Sequence, residues 1–338
     1  MQNAITTLIF VAAFCVVAVL VYMARYSGRL RVTHTRIIDA PMAEAYARVI
    51  DLGRWREWNP WLEREADSPA VLSKSTDCAG SSCTWARAGT DVGEIEHLRI
   101  NEPGRIEQRM RLRRPFPFRG RGRWEFTESD GKTRATWSLR GRVAFPMRAF
   151  AETVQGAIAL DFRYGLDRLA GLVEGAGAPR YSITYRGLRE IAAIRYAYIA
   201  HSGALAGLGE AMRDAIVELR TRLASQGVAV AGEPIAVYVK THIKQRTTVC
   251  RLGIPIGAVE VEGLAVASLP RHRAFVARLQ GSHAHLEVAW YLAMQRIGTE
   301  GIQPDLRVTP FERYLNDPDP ARGNDNVTEL HIPVLAAP

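Results

Sequence analysis

Few side chains in this 338-residue sequence stand at spacings that support chemistry. Glu312 is the most informative of them. It lies between Phe311 and Tyr314 in a segment of strand character, where a buried carboxylate is costly unless something pairs with it. Desolvation would raise its pKa, making it either an acceptor for a cationic ligand or a poised acid–base group. Trp290 and Tyr291, adjacent on a helical segment, are suited to wall such a group, with plain core packing as their alternative role. Tyr196 and Tyr238 are further aromatic candidates. In the N-terminal half, His97 and Glu107 are expected to face the interior, but neither has a second carboxylate or a nucleophile at a productive spacing. His283 and His285 form a His-x-His pair with no third metal ligand in view and read as a surface pair at a helix start. Cys78 and Cys83 allow three readings: a hairpin-tip disulfide, part of a zinc site that Cys15 and Cys250 do not complete, or two free thiols. No metal and no cofactor is expected.

The elements that must position these residues follow from composition and patterning. With 47% hydrophobic and 23% charged residues, the chain is too apolar for disorder and long enough for two folded units. Ordinary glycine and proline contents exclude collagenous or low-complexity architecture, and four cysteines cannot make a disulfide scaffold. Residues 4–24 carry no charge and are dominated by Ile, Leu, Val and Phe. About 20 such residues span a hydrocarbon core of roughly 30 Å, and no basic segment precedes them as it would in a signal peptide. Residues 1–28 therefore read as an uncleaved single-pass anchor in the inner (cytoplasmic) membrane. Arg25, Arg29, Arg31 and Arg36 follow the span and favour a cytoplasmic location for the rest of the chain, whereas a Cys78–Cys83 disulfide would require an oxidising compartment.

Between residues 30 and 175 the sequence predicts a strand over 30–38, a helix over 42–50, and a tryptophan cluster at Trp55, Trp58 and Trp61. A run of strands separated by turn signals follows (71–75, 83–87, 93–100, 105–113, 121–127 and 134–143), then a long helix over 148–173. Charge concentrates here: residues 99–148 hold 13 arginines and one lysine against five acids, an excess equal to the +9 of the whole chain. Arg105, Arg109, Arg111 and Arg113 share one strand face, opposite Ile106, Met110 and Leu112, and Arg119, Arg121 and Arg123 repeat the pattern opposite Trp124 and Phe126. This is either a solvated face or a surface for anionic headgroups; no DNA- or RNA-binding motif accompanies it, so nucleic acid is not expected as a partner.

Past the linker at 175–179 the chain repeats itself. The segment 199–203 precedes a helix with Leu208, Met212, Ala215 and Leu219, while 278–281 precedes one with Leu286, Trp290, Ala293 and Ile297. Pro234-Ile-Ala-Val-Tyr238 matches Pro310-Phe-Glu-Arg-Tyr314, which aligns Ala236 with Glu312. Each half reads strand, helix, then strands, so residues 181–336 form a pseudo-twofold pair around a groove.

Two resemblances accompany these patterns. Ile38-Asp-Ala-Pro41, Asp51-Leu-Gly-Arg-Trp55, Trp58-Asn-Pro-Trp61 and the 161–169 segment around Gly165 resemble the helix-grip domains of the polyketide cyclase, START and birch-pollen-allergen superfamily (SRPBCC). That resemblance implies an antiparallel sheet wrapped around the long helix, with a cavity for an apolar ligand. The duplicated half, with Pro310–Pro318 and Thr328–Pro333, resembles the GyrI-like effector-binding domains found in multidrug-responsive activators. It implies an aromatic groove with a buried glutamate, here Glu312, that meets the cationic part of an amphipathic ligand. SOUL-type haem proteins share this duplicated architecture, but no histidine here stands out as an axial ligand. Some GyrI-like relatives hydrolyse small electrophiles, which leaves a hydrolase using Glu312 as the alternative to a non-enzymatic binder. The overall expectation is an α+β chain with an anchor, a helix-grip domain and a duplicated effector-binding domain. Its partners are hydrophobic or cationic amphipathic small molecules and the membrane.

Overall fold

Alternation of apolar and polar residues builds the first of the two units, Met1–Pro179 and Arg180–Pro338, into which contacts divide the chain. The computed structural model describes residues 10, 13–14, 16–22, 24–64, 70–87, 90–101, 103–113, 117–174, 181–242, 245–316 and 325–335. Much of the expected anchor lies outside the described residues. Within it, residues 10, 13–14, 16–22 and 24 are helical, and no helix among the described residues is long and apolar enough to cross a membrane.

In the first unit, β1 (Arg29–Ile38) leads through α1 (Met42–Ile50), a 3-10 turn (Leu52–Glu57) and α2 (Pro60–Arg64) to six strands. These are β2 (Ala70–Leu72), β3 (Ser82–Arg87), β4 (Thr90–Asn101), β5 (Arg105–Leu112), β6 (Phe118–Ser129) and β7 (Lys132–Val143). A 3-10 turn (Met147–Phe150) then starts the long helix α3 (Ala151–Val173). The seven strands form one antiparallel sheet in the order β1-β7-β6-β5-β4-β3-β2. Asp130 and Gly131 both take positive φ, 52° and 70°, giving the tight two-residue turn that joins β6 to β7.

The inward faces of these strands carry tryptophan. Trp55, Trp58, Trp124 and Trp137 are almost wholly enclosed, Trp137 stacks on Phe162 of α3 at 3.8 Å, and Trp124 stacks on Trp137 at 4.5 Å. Gly165 lets α3 approach this cluster: a Cβ there would lie 3.1 Å from Pro60 Cδ and 3.3 Å from Trp137 Cζ3. The tryptophans therefore pack as core, filling much of the space between the sheet and α3.

The second unit is also α+β. Its elements are β8 (Ser182–Ile191), β9 (Ile194–Ala204), α4 (Leu208–Ser225), β10 (Ile235–His242), β11 (Thr247–Pro255) and β12 (Ala265–Leu269), then β13 (His272–Gln280), α5 (Leu286–Thr299), β14 (Phe311–Tyr314) and β15 (Val327–Pro333). The sheet order, β12-β9-β11-β10-β14-β15-β13-β8, is symmetric about the β10–β14 contact. There Ala236 pairs with Glu312, Ile235 with Arg313 and Val237 with Phe311. Tyr238 N donates to Pro310 O at 3.1 Å, and Tyr314 N donates to Pro234 O at 3.0 Å. The two hydrogen bonds exchange under a half-turn that carries residue 236 onto 312.

Candidate functional site

Glu312 occupies the middle of this symmetric contact and is 0% exposed. The four-residue strand β14 places it and Tyr314 on one sheet face, and Phe311 on the other, where it stacks on His331 at 4.3 Å. Trp290, on α5, donates its indole N–H to Glu312 Oε1 at 2.6 Å. Tyr314 donates its hydroxyl to Oε2 at 2.5 Å. The Tyr238 hydroxyl is a third hydrogen-bonding neighbour of the carboxylate, and the Tyr238 and Trp290 rings meet edge-on with centroids 5.9 Å apart.

The electrostatics follow from this arrangement. Burial raises the Glu312 pKa above the usual carboxylate range, against the lowering effect of hydrogen bonds from Tyr314, Trp290 and Tyr238. Burial and the neighbouring Glu312 charge push the Tyr238 and Tyr314 hydroxyls well above their ordinary values. Cys250, on β11 opposite Tyr238 of β10, is raised to about 12 by burial, with Glu312 adding to the effect. The result is one enclosed carboxylate in an aromatic setting that supplies donors and, among the described residues, no paired cation.

Of the five residues singled out in sequence, the fold joins three: Glu312, Trp290 and Tyr238. Tyr291 is half-buried, one position further round α5. Tyr196 is fully buried but elsewhere. On β9, Ala197 packs in the cluster with Ala236 and α4, while Tyr196 joins Ile235, Val237 and Phe311 on the opposite face. Tyr314, which donates directly to Glu312, is not one of the five. Its sequence signal is the repeat: Tyr314 stands 76 residues after Tyr238, the offset that aligns Glu312 with Ala236.

The remaining candidates resolve differently. His97 is buried, with Nε2 2.8 Å from Ile50 O and Nδ1 3.2 Å from Gln108 Nε2. Both ring nitrogens are used, and burial lowers its pKa, so it is a satisfied neutral strand histidine. Glu107 does not face the interior: it lies on the arginine face of β5, 2.7 Å from Arg105 and 3.5 Å from Arg123. The reason is parity, since Ile106 and Gln108 are the buried residues of that stretch. His283 approaches Thr328 Oγ1 at 3.1 Å and sets its ring edge-on to Tyr314 at 5.3 Å, so it is a packed residue beside the site, not a free surface one. Cys78 is exposed and Cys83 buried; both are free thiols, and burial pushes Cys83 up to about 11. Among the described residues no group of three His, Cys, Asp or Glu side chains could hold a metal ion.

Outside this centre, a shallow cavity of about 280 Å³ in the first unit is lined by Leu52, Gly53, Arg56, Leu62, Ala70 and Leu72.

The family described as polyketide cyclase / dehydrase and lipid transport matches residues 29–174. No curated protein matches the chain. Among solved structures, the C-terminal domain of EcmrR is 14% identical, with 46% of this chain and 99% of that chain covered and a TM-score of 0.39. An EcmrR–DNA complex is 15% identical over 56% of this chain and 70% of that chain, with a TM-score of 0.38. A Thermobifida fusca protein is 21% identical over 43% of this chain and 95% of that chain, with a TM-score of 0.34.

Proposed function

We propose that this chain is a small-molecule-binding protein held at the membrane by residues 4–24. In this reading its second unit is a GyrI-like groove that captures an amphipathic, cationic ligand at Glu312. The observation that carries the proposal is a fully buried carboxylate with three in-chain hydrogen-bonding neighbours and, among the described residues, no cation paired with it. Such a group is stabilised when a ligand brings a positive charge into the same low-dielectric space. Trp290 and Tyr238 would flank the ligand's apolar part and add cation–π attraction. The family matched over residues 29–174 supports a helix-grip fold for a small hydrophobic ligand in the first unit. Because tryptophans occupy so much of its interior, the cavity at Leu52, Leu62 and Leu72 is the entry we assign to that ligand. The folded units are placed on the cytoplasmic side, on the strength of the arginines that follow the apolar run. The hydrolase reading, with Glu312 as its acid–base group, stands as the alternative: each carboxylate oxygen accepts one hydrogen bond from Trp290 or Tyr314 and keeps a lone pair for a water as well as for a cation.

Native mass spectrometry of the full chain released from detergent, offered tetraphenylphosphonium and long-chain quaternary ammonium ions, tests this reading. A stable adduct weakened at least about tenfold by Glu312→Gln, a loss of about 1.4 kcal/mol, is expected. No adduct with any of these cations would overturn it. A ligand consumed by the wild type and left intact by the variant would shift the assignment to the hydrolase.

A further inference from the structure

The cross-strand register collects the arginines of the first unit into two rows. One runs Arg29, Arg142, Arg119, Arg111 across β1, β7, β6 and β5, and ends on Glu94 of β4. The next runs Arg31, Arg140, Arg121, Arg109, and ends on Glu96. The glutamates neutralise only that end: Arg109 lies 2.7 Å from Glu96 and Arg111 lies 3.5 Å from Glu94. Arg29, Arg31, Arg119, Arg121, Arg140 and Arg142 are exposed and have no ion pair among the described residues. At normal strand spacing these six lie in a grid of about 10 Å by 7 Å. Like charges directly opposite one another destabilise a sheet, and here the opposition repeats over three strands with no acid between them. An anionic partner would relieve it.

We propose that this grid is a docking surface for anionic phospholipid. Nucleic acid has the same phosphate chemistry, but the surroundings favour lipid. The apolar run 4–24 ends five residues before Arg29, a reach of at most about 18 Å. The row containing Arg29 and Arg142 adjoins Gly28, whose carbonyl accepts from Val143 N at 2.8 Å. Exposed aromatics gather at this end and not among the arginines: Tyr26 is 38% exposed, Phe145 44% and Phe150 41%. Tyr22 adds a further exposed ring, its hydroxyl 2.7 Å from that of Tyr26. Exposed rings at one edge, two of them tyrosines, and cations behind them match the order of apolar boundary and headgroup layer at a membrane surface. The inference rests on the membrane placement proposed above, and its test keeps the two apart.

The full chain is mixed with nanodiscs of phosphatidylcholine alone, or containing about one third phosphatidylglycerol, at low and high salt. Arginines are labelled with phenylglyoxal and read peptide by peptide. Labelling of Arg119, Arg121, Arg140 and Arg142 is expected to slow about fivefold or more on anionic discs only, and to recover in high salt, while Arg271 in the second unit is unaffected. Replacing Arg119→Gln and Arg140→Gln together is expected to return labelling at Arg121 and Arg142 to the rate seen on neutral discs. Equal labelling on both disc types overturns the surface; if the chain still co-migrates with neutral discs, the anchor reading survives. Protection on anionic discs by a chain that stays off neutral ones supports the surface and removes the anchor. Protection by duplex DNA or by inorganic phosphate but not by discs overturns the lipid assignment.

Discussion

Tyr314→Phe is the sharpest probe of the buried centre, because it deletes one hydroxyl and leaves the ring in place. That hydroxyl donates to Glu312 Oε2 at 2.5 Å in a fully enclosed setting. A hydrogen bond to a charged group is worth about 1.5–3 kcal/mol, and one between neutral groups about 0.5–1.5 kcal/mol. The cost of the substitution therefore depends on whether Glu312 is ionised. Burial raises the folded-state pKa of Glu312 above its unfolded value. Its contribution to stability is thus fully present below the unfolded pKa and is lost as pH rises through the folded one. The Tyr314 hydroxyl opposes that loss, so Tyr314→Phe should destabilise least at a pH below the unfolded carboxylate range and most at a pH above the folded-state pKa of Glu312, with the difference approaching about 1–2 kcal/mol. Hydrogen exchange at the Tyr238 and Tyr314 amides, which bond across the centre of the sheet, reads this locally in the full chain. A cost that is the same at both pH values would refute the reasoning, since it would mean that Tyr314 does not sense the charge on Glu312.

Two further outcomes follow from the packing and charge of each unit. Gly165→Val should destabilise the first unit by about 1–3 kcal/mol, with a lower Tm, because its side chain must displace Pro60 and Trp137 from positions already within about 3 Å; an unchanged Tm would show that α3 stands off the tryptophan cluster. In the second unit, the His331 ring, its Nε2 3.4 Å from Glu329 Oε2, and the Arg278 guanidinium at 2.7 Å hold Glu329 down at about 2. Its stabilisation is present above the unfolded carboxylate range and lost as pH falls from about 4.5 towards 2. Acid titration of Glu329→Gln should lack that loss, and an identical acid limb in both proteins would contradict the pairing.

Legibility in the sequence depended on whether one or both faces of an element were apolar. In β5 and β6, arginines alternate with Ile106, Met110, Trp124 and Phe126, so face and register follow directly from the residue order. The expectation for Glu107 failed against that same pattern, since an odd-numbered residue there must share the arginine face. In the second unit the central strands bury both faces: Ile235 and Val237 pack on one side, and Ala236 on the other. Alternation then says nothing about which side an aromatic residue serves, and Tyr196 fell on the wrong one. Internal repetition was the better guide there. It aligned Ala236 with Glu312, and the same offset, applied to Tyr238, leads to Tyr314. The hydrogen bond from Trp290 was not legible, because a helix pattern fixes a face but not the partner above it.

The pairing of Ala236 with Glu312 bears on what a fused duplication makes possible. Were the two halves identical, the strands meeting at the axis would set two glutamates face to face, with their Cβ atoms about 5 Å apart in a space without water. One proton would have to be shared between them, or one charge left without solvation. A single continuous chain lets the two sides differ, so the centre carries one carboxylate with alanine opposite. In the binding role proposed above, a nearly symmetric site thereby gains a direction, and a molecule with one charged end and one greasy end would have only one way round to lie in it.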